Sequence, residues 1–320
     1  MVSMKDIAHE LNLSRCTVSN ILNNKLEGKS YKKETIELVL KKACEMNYVP
    51  NNIARSLKTG STRTIALVVP DICNSFYTKI IKEVELLAYA ENYSLIVCVA
   101  EEILEKENKI LEMLASRRID GVLISPVSSY QSLQGKYPFK IVCFDRIVNN
   151  RDFCSVLINN EDAAKELTLR MIERGITNPL FLATSKDDYT VQCRLKASIK
   201  TLNENNIQFN PANIIYNVYD SNVAYESLKM LQNQPYINFD SVILSTNFCI
   251  YGVLSFLKER GLTLKSIGGF ENFTGSKLVG KDVIKVLQPE KEIAFHAFRS
   301  LMDLVDNDEA SSVILNTVIQ

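Results

Sequence analysis

The sequence predicts a small all-α head joined to a two-lobed α/β body with parallel sheets and helices on both faces. Three observations lead there. Residues 3–48 carry apolar side chains at helical spacing, punctuated by capping residues. From residue 64, short apolar runs alternate with amphipathic stretches, the pattern of βαβ units in a parallel sheet. After Asn160 the alternation starts again, so one α/β unit becomes two of similar size.

In the head, Ser3 is placed to cap a helix over residues 4–11, with Ile7, Ala8 and Leu11 turned inward. Asn12 suits the left-handed backbone of a tight turn. Ser14 then caps a second helix from Arg15 to Asn23, with Val18, Ile21 and Leu22 inward. A third helix is expected over residues 33–46, with Ile36, Val39, Leu40 and Ala43 inward and Asn47 repeating the role of Asn12. In the body, strands are expected at 64–69, 94–99, 121–124 and 141–144, with helices at 76–91 and 104–117 between them. The second unit reads as helix 161–174, strand 179–183, helix 190–205, strand 213–217, strand 241–246 and helix 248–260. Ligands of such folds bind outside the carboxyl ends of the strands.

The chain has 320 residues, enough for two or three domains, and its 46% hydrophobic and 23% charged content suits a folded chain. No apolar stretch approaches the roughly 18 residues of a membrane span, so no membrane partner is expected. The N-terminus lacks the apolar core and cleavage site of a secretory signal, which points to a cytoplasmic protein. Eight cysteines occur without a C-x-x-C pair, several inside apolar runs, and read as small buried side chains in a reducing compartment. His9 and His296 are the only histidines, so no metal site and no cofactor are expected. Residues 1–60 carry ten Lys/Arg against six Asp/Glu, while the remainder carries the compensating acidic excess. A basic head on an otherwise acidic body fits a nucleic-acid reader.

Linked motifs now point further. Lys5-Asp6-Ile7-Ala8 precedes Leu13-Ser14-Arg15-Cys16-Thr17-Val18-Ser19-Asn20-Ile21-Leu22-Asn23. Tyr48-Val49-Pro50-Asn51-Asn52-Ile53-Ala54-Arg55-Ser56-Leu57 comes next, then Pro70-Asp71-Ile72-Cys73-Asn74-Ser75-Phe76-Tyr77. Arg117-Arg118-Ile119-Asp120-Gly121, Phe144-Asp145-Arg146, Arg194, Asn247, Gly269-Phe270-Glu271 and Gln288-Pro289 come in order after them. Along nearly its whole length the chain resembles the lactose-repressor (LacI/GalR) family of bacterial transcriptional regulators. The resemblance implies a helix-turn-helix domain over residues 1–50 and a hinge over 51–60. It implies a periplasmic-binding-protein-like sensor, with residues 61–160 and 289–306 in the first lobe and 161–288 and 307–320 in the second.

The implied function is that of a DNA-binding regulator, a repressor, whose operator affinity is set by a small molecule held between the lobes. A helix-turn-helix lays its second helix in the major groove. There Arg15, Cys16 and Asn20 would read bases, with Arg15 able to form a two-point pair with guanine. Ser14, Thr17, Ser19 and Asn23 are the accompanying contacts, Thr17 and Ser19 to phosphate. In the hinge, Ala54 and Arg55 would lie against the duplex and Leu57 would wedge into the minor groove, as the resemblance implies. The implied partners are a pseudo-palindromic double-stranded operator, a second copy of the chain packed through residues 76–91, and a carbohydrate effector.

By family position the effector residues are Phe76, Tyr77, Asp145, Arg146, Arg194, Asn247, Glu271 and Gln288, a mixture that suits a polyol. The chain departs from the family pattern at Asn20, where Arg is usual, and at Phe248, Glu271, Asn159 and the run Gly175-Ile176-Thr177. The loop over residues 24–31 is longer than usual. Two other classes stay open on sequence alone. A sugar-binding transport component shares the two-lobed body but not the basic head. An enzyme is opposed by the lack of a nucleophile-base pairing. Gly275 to Lys281 imitates a phosphate-binding loop but is followed by Asp282 instead of Ser or Thr.

Overall fold

The computed structural model of the protein describes residues 2–23, 31–49, 60–127, 137–148, 153–232, 238–246, 249–270 and 283–320. The chain divides into a head, Met1–Thr62, and a body, Arg63–Gln320.

The head holds α1 (Met4–Glu10), α2 (Arg15–Leu22) and α3 (Lys33–Glu45). Ser3 and Asp6 close a reciprocal capping box, the Ser3 N–H donating to the Asp6 carboxylate at 2.8 Å. These hydrogen bonds to the ionised form hold the Asp6 carboxyl below its ordinary range. Asn12 and Asn47 both have φ of 49°, the left-handed backbone expected of them. Each turn is closed by the following N–H, Leu13 to the Ala8 carbonyl at 3.0 Å and Tyr48 to the Ala43 carbonyl at 2.8 Å. Ile7, Ala8, Val18, Ile21, Val39 and Ala43 form the buried centre. Leu40 does not join them and is 50% exposed. It lies at the flank of the α3 stripe, and helices of seven and eight residues cover only the centre of that stripe.

The body contains two six-stranded sheets. The first has the order β11-β5-β4-β3-β1-β2, built from β1 (Thr64–Val69), β2 (Ser94–Val99), β3 (Gly121–Ile124), β4 (Lys140–Phe144), β5 (Cys154–Ile158) and β11 (Val313–Leu315). The second has the order β12-β10-β9-β8-β6-β7, built from β6 (Pro179–Leu182), β7 (Ile214–Ile215), β8 (Ser241–Leu244), β9 (Ser266–Phe270), β10 (Val283–Leu287) and β12 (Val318–Ile319). All pairings are parallel except β10 with β12.

Helices cover both faces of each sheet. Ile65, Leu67 and Val69 face the cluster under α4 (Ser75–Ala90) and α10 (Glu290–Asn307), while Ala66 and Val68 face the cluster under α5 (Leu104–Ser116). In the second sheet Phe181 and Ala183 pack with α6 (Asn160–Glu173) and α7 (Tyr189–Glu204). Leu180 and Leu182 pack instead with α8 (Ser221–Gln232) and α9 (Ile250–Arg260). Alternate residues of one strand therefore feed two cores, which explains strands that read as continuous apolar runs.

Several expectations need correction. Residues 313–315 pair in parallel with β5, so they belong to the first sheet, and the chain enters the second sheet only after Leu315. The strand expected over 213–217 shortens to Ile214–Ile215, because Pro211 opens a 3-10 turn that takes up Asn213. The thiols are all free, but only Cys143 and Cys249 are buried; Cys16, Cys44 and Cys73 are exposed. Among the described residues, no helix is long and apolar enough to cross a membrane.

The approach of α8 to α9 depends on Gly252. A Cβ there would meet the Ser221 carbonyl oxygen at 1.9 Å, a backbone atom that cannot swing aside. Gly252→Ala, favourable by helix propensity alone, is expected to destabilise the body by about 1–3 kcal/mol through overpacking. A urea titration of both proteins checks this, and a more stable variant would refute it.

Candidate functional site

The head presents the start of α2. The Ser14 hydroxyl accepts from the Thr17 N–H at 3.0 Å and lies 2.9 Å from the Thr17 hydroxyl. This cap fixes the first turn and leaves Arg15 and Cys16 exposed at its tip. Asn20 has local partners as well. Its amide donates to the Tyr31 hydroxyl at 2.9 Å and sits 3.6 Å from the Cys16 sulfur. Tyr31 precedes α3 and was not singled out by sequence, since its partner is eleven residues away across a loop. Asn23 turns back to donate to the Ser19 carbonyl at 2.7 Å and ends the helix. Ala54, Arg55 and Leu57 lie outside the described residues.

The body's polar residues gather where strands end, as the parallel topology requires. In the first lobe Ser125 follows β3, Asp145 and Arg146 follow β4, and Glu102 follows β2. Tyr77, in the first turn of α4, donates its hydroxyl to Asp145 at 2.8 Å and lies 3.0 Å from the Ser125 hydroxyl. Burial pushes the Tyr77 phenol well above its ordinary value, with Asp145 adding to the effect and Arg146 opposing it. Asp145 sits at φ 62°, a left-handed conformation that Asp tolerates better than most residues. Burial raises its carboxyl above the usual range against the pull of Arg146 and Arg194.

Arg146 is the electrostatic centre. Its two terminal nitrogens take both Glu102 oxygens at 2.9 and 2.8 Å, and one of them also meets Asp188 at 3.0 Å. Asp188 belongs to the second lobe, where its carboxylate caps α7 by accepting from the Thr190 and Val191 N–H groups. One guanidinium therefore spans the two lobes. Burial works against the charge on Asp188, but Arg146, the Thr190 bonds and Arg194 outweigh it and hold its carboxyl below the ordinary range.

In the second lobe Arg194 projects from α7. It donates to Asn160 at 2.8 Å, to the Ser245 carbonyl at 2.6 Å and to Gln288 at 3.4 Å, and stacks 3.7 Å from the Phe270 ring centre. Thr184 follows β6 and Ser245 and Thr246 follow β8; their hydroxyl oxygens are buried without a hydrogen-bond partner among the described residues. Tyr219, 41% exposed, lies near enough to Glu102, Arg146 and Asp188 to feel their charges.

The chain crosses between the lobes three times, after β5, after β10 and after β11. Asn159 ties the first crossing to the third. Its N–H donates to the Leu315 carbonyl at 3.0 Å, and its side chain accepts from the Thr317 N–H at 3.0 Å. Arg194 grips the first crossing at Asn160 and the second at Gln288.

Thus Tyr77, Asp145, Arg146, Arg194 and Gln288 stand at the strand ends. Phe76 is 2% exposed and packs edge-on against Tyr77 at 5.1 Å in the core, so it supports Tyr77 instead of offering an open aromatic face. Asn247 and Glu271 lie outside the described residues, as does the Gly275–Lys281 run. Sequence reasoning missed Glu102, Ser125, Asn160, Thr184, Asp188, Tyr219 and Ser245. A separate groove of about 880 Å³ lies between β4, β5 and α10, lined by Lys140, Cys154, His296 and Arg299 among others, and takes in none of the strand-end residues.

A capped helix exposed in the head and, in a separate body, two lobes whose polar groups meet at the strand ends define the class of ligand-responsive DNA-binding regulators. Residues 3–51 match the bacterial regulatory proteins of the lacI family, and residues 62–318 match the periplasmic binding proteins and sugar binding domain of LacI family. The chain belongs to the LacI family, and it is a DNA-binding transcriptional regulator with that family's small-molecule-binding body. It is 26% identical over 321 residues to the HTH-type transcriptional repressor PurR of Vibrio vulnificus (strain CMCP6), covering 97% of this chain and 93% of that one. It is 28% identical over 330 residues to the HTH-type transcriptional regulator RegA of Clostridium saccharobutylicum, covering 99% and 98%. These relatives are transcription regulators, not enzymes. The lac repressor dimer bound to operator and the anti-inducer ONPF shares the fold, with a TM-score of 0.82 at 16% identity over 99% of this chain and 97% of that one.

Glu107, in the first turn of α5, holds the segment after Ser125 by accepting from the Val127 N–H at 2.9 Å. Its other oxygen is buried without a partner among the described residues, and burial raises its carboxyl to about 7. The folded state thus disfavours the ionised form. The penalty is absent below the unfolded value of 4.5, grows as pH rises, and is complete above about 7, at up to about 3 kcal/mol. Glu107→Gln is expected to melt higher than the parent at pH 8 and equally at pH 4.5; a gap independent of pH would refute this.

Proposed function

We propose that the protein is a homodimeric repressor that binds a pseudo-palindromic operator and responds to a carbohydrate held between its lobes. It acts in the cytoplasm and catalyses no reaction. The observation that carries the reading is the convergence of strand-end polar groups from both sheets, joined by the Arg146–Asp188 pair across the lobes. Hydroxyl-bearing ligands match such a set, because carboxylate and amide oxygens accept and guanidinium N–H groups donate.

On the DNA side, Arg15 and Cys16 at the tip of α2 are the base-reading pair. Ser14 and Thr17 orient the tip, while Ser19 and Asn23 close the far end. Asn20, whose amide also donates to Tyr31, is the third base-reading residue, one turn further along the helix. Ala54, Arg55 and Leu57 form the minor-groove element. Two heads on two half-sites multiply a modest single-head affinity. Asn247 and Glu271 complete the effector set with Tyr77, Asp145, Arg146, Arg194 and Gln288, and Phe76 backs Tyr77. Effector binding alters the angle between the lobes, and through it the separation of the hinges, a coupling of about 1–3 kcal/mol. We assign the helix-turn-helix to residues 1–50 and the hinge to 51–60, and the two lobes exchange the chain near residues 160, 288 and 316.

In an anisotropy titration against a selected operator, Arg15→Ala is expected to weaken binding by about 1–3 kcal/mol and to relax preference at one base position in each half-site. Leu57→Ala is expected to weaken operator binding without changing effector affinity. Parent-like operator affinity in both variants would refute the reading.

A further inference from the structure

The cleft's charges also bear on the kind of ligand it takes. Resting on the reading of that cleft as the effector site, we propose that the effector is an uncharged, hydroxyl-rich molecule, and that sugar phosphates and sugar acids are excluded. A guanidinium fork offering two parallel N–H groups is the side chain best matched to a phosphate or carboxylate. Neither buried fork has such a pair to offer. Both terminal nitrogens of Arg146 are taken by Glu102, one of them by Asp188 as well. Arg194 spends its three nitrogens on Asn160, the Ser245 carbonyl and Gln288 while its face lies on Phe270.

The surrounding charge points the same way. Among the described residues, Glu102, Asp145 and Asp188 set three carboxylates against the guanidiniums of Arg146 and Arg194, which works against an incoming anion at short range in a poorly screened site. The unengaged groups suit hydroxyls. The Arg146 Nε–H is a single donor, buried 3.9 Å from the Asp145 carboxylate and without a hydrogen-bond partner among the described residues. The Thr184 and Ser245 hydroxyls, on residues 6% and 1% exposed, are in the same condition and can both donate and accept. Buried polar atoms without partners are costly, so groups placed this way at strand ends ask for a ligand that supplies hydroxyls one at a time.

Asp188 is then a specificity residue by exclusion: it holds Arg146 against a competing anion while capping α7. Asn at this position keeps the capping oxygen and removes the charge, so Asp188→Asn preserves the helix start.

The test is calorimetric titration of the full-length protein with matched probes: ribose and ribose 5-phosphate, glucose and glucose 6-phosphate, glucitol and gluconate. At least one neutral member is expected to bind, with its anionic counterpart weaker by about tenfold or more. In Asp188→Asn the disadvantage of the anion is expected to shrink several-fold. A phosphate or gluconate that binds more tightly than its neutral parent overturns this inference and leaves the cleft reading standing. An anion disadvantage unchanged in Asp188→Asn overturns the role of Asp188. Flat thermograms with all six probes, in a protein that still shifts operator DNA, overturn the cleft reading and this inference together.

Discussion

A guanidinium can leave water only if acceptors surround it, and Arg146 is 7% exposed. That constraint organises the cleft. Glu102 supplies a matched two-point partner from one strand end, and Asp188 supplies a further acceptor from the opposite lobe. Removing one carboxylate would strand a buried charge, so the ion cluster stabilises a particular arrangement of the lobes more than it stabilises either lobe alone. Asp188 gains a second task from its place in the chain, since the same carboxylate starts α7, the helix that carries Arg194. The two guanidiniums are thus linked through one helix N-terminus.

The regular elements of the fold were legible in the sequence because each obeyed a local rule. Ser3 and Ser14 cap, Asn12 and Asn47 turn left-handed, and strands such as Ile65 to Val69 read as continuous apolar runs because both faces are covered. The features that escaped were set by partners far along the chain. Nothing local says that Val313–Leu315 would join β5, more than 150 residues earlier, and not the sheet that takes Val318–Ile319. Leu40 fits a helical stripe, but helix lengths elsewhere decide whether the stripe is covered.

The site divides in the same way. Candidate residues with a motif to carry them, such as Asp145-Arg146 and Arg194, can be singled out from sequence. Glu102, Asp188 and Ser245 were not, because their roles arise from facing Arg146 or Arg194 across the fold and leave no spacing signal. Asn20 adds a contact that spacing does not reveal. Its helix position places it near the reading surface, but Tyr31, beyond a long loop, takes its amide.

Asn159 has a mechanical meaning beyond its hydrogen bonds. Two rigid bodies joined by a single strand can swivel about any axis. Three strands side by side remove most of that freedom, and a clasp between the first and third makes them behave as one leaf. A joint of this kind favours a door's motion about a nearly fixed line. With a single axis, a small change in opening at the cleft becomes a proportionate, repeatable displacement at the opposite end of the first lobe, where the chain arrives from residue 63. The geometry of the joint, and not the strength of any contact, then sets how much movement each ligand event delivers.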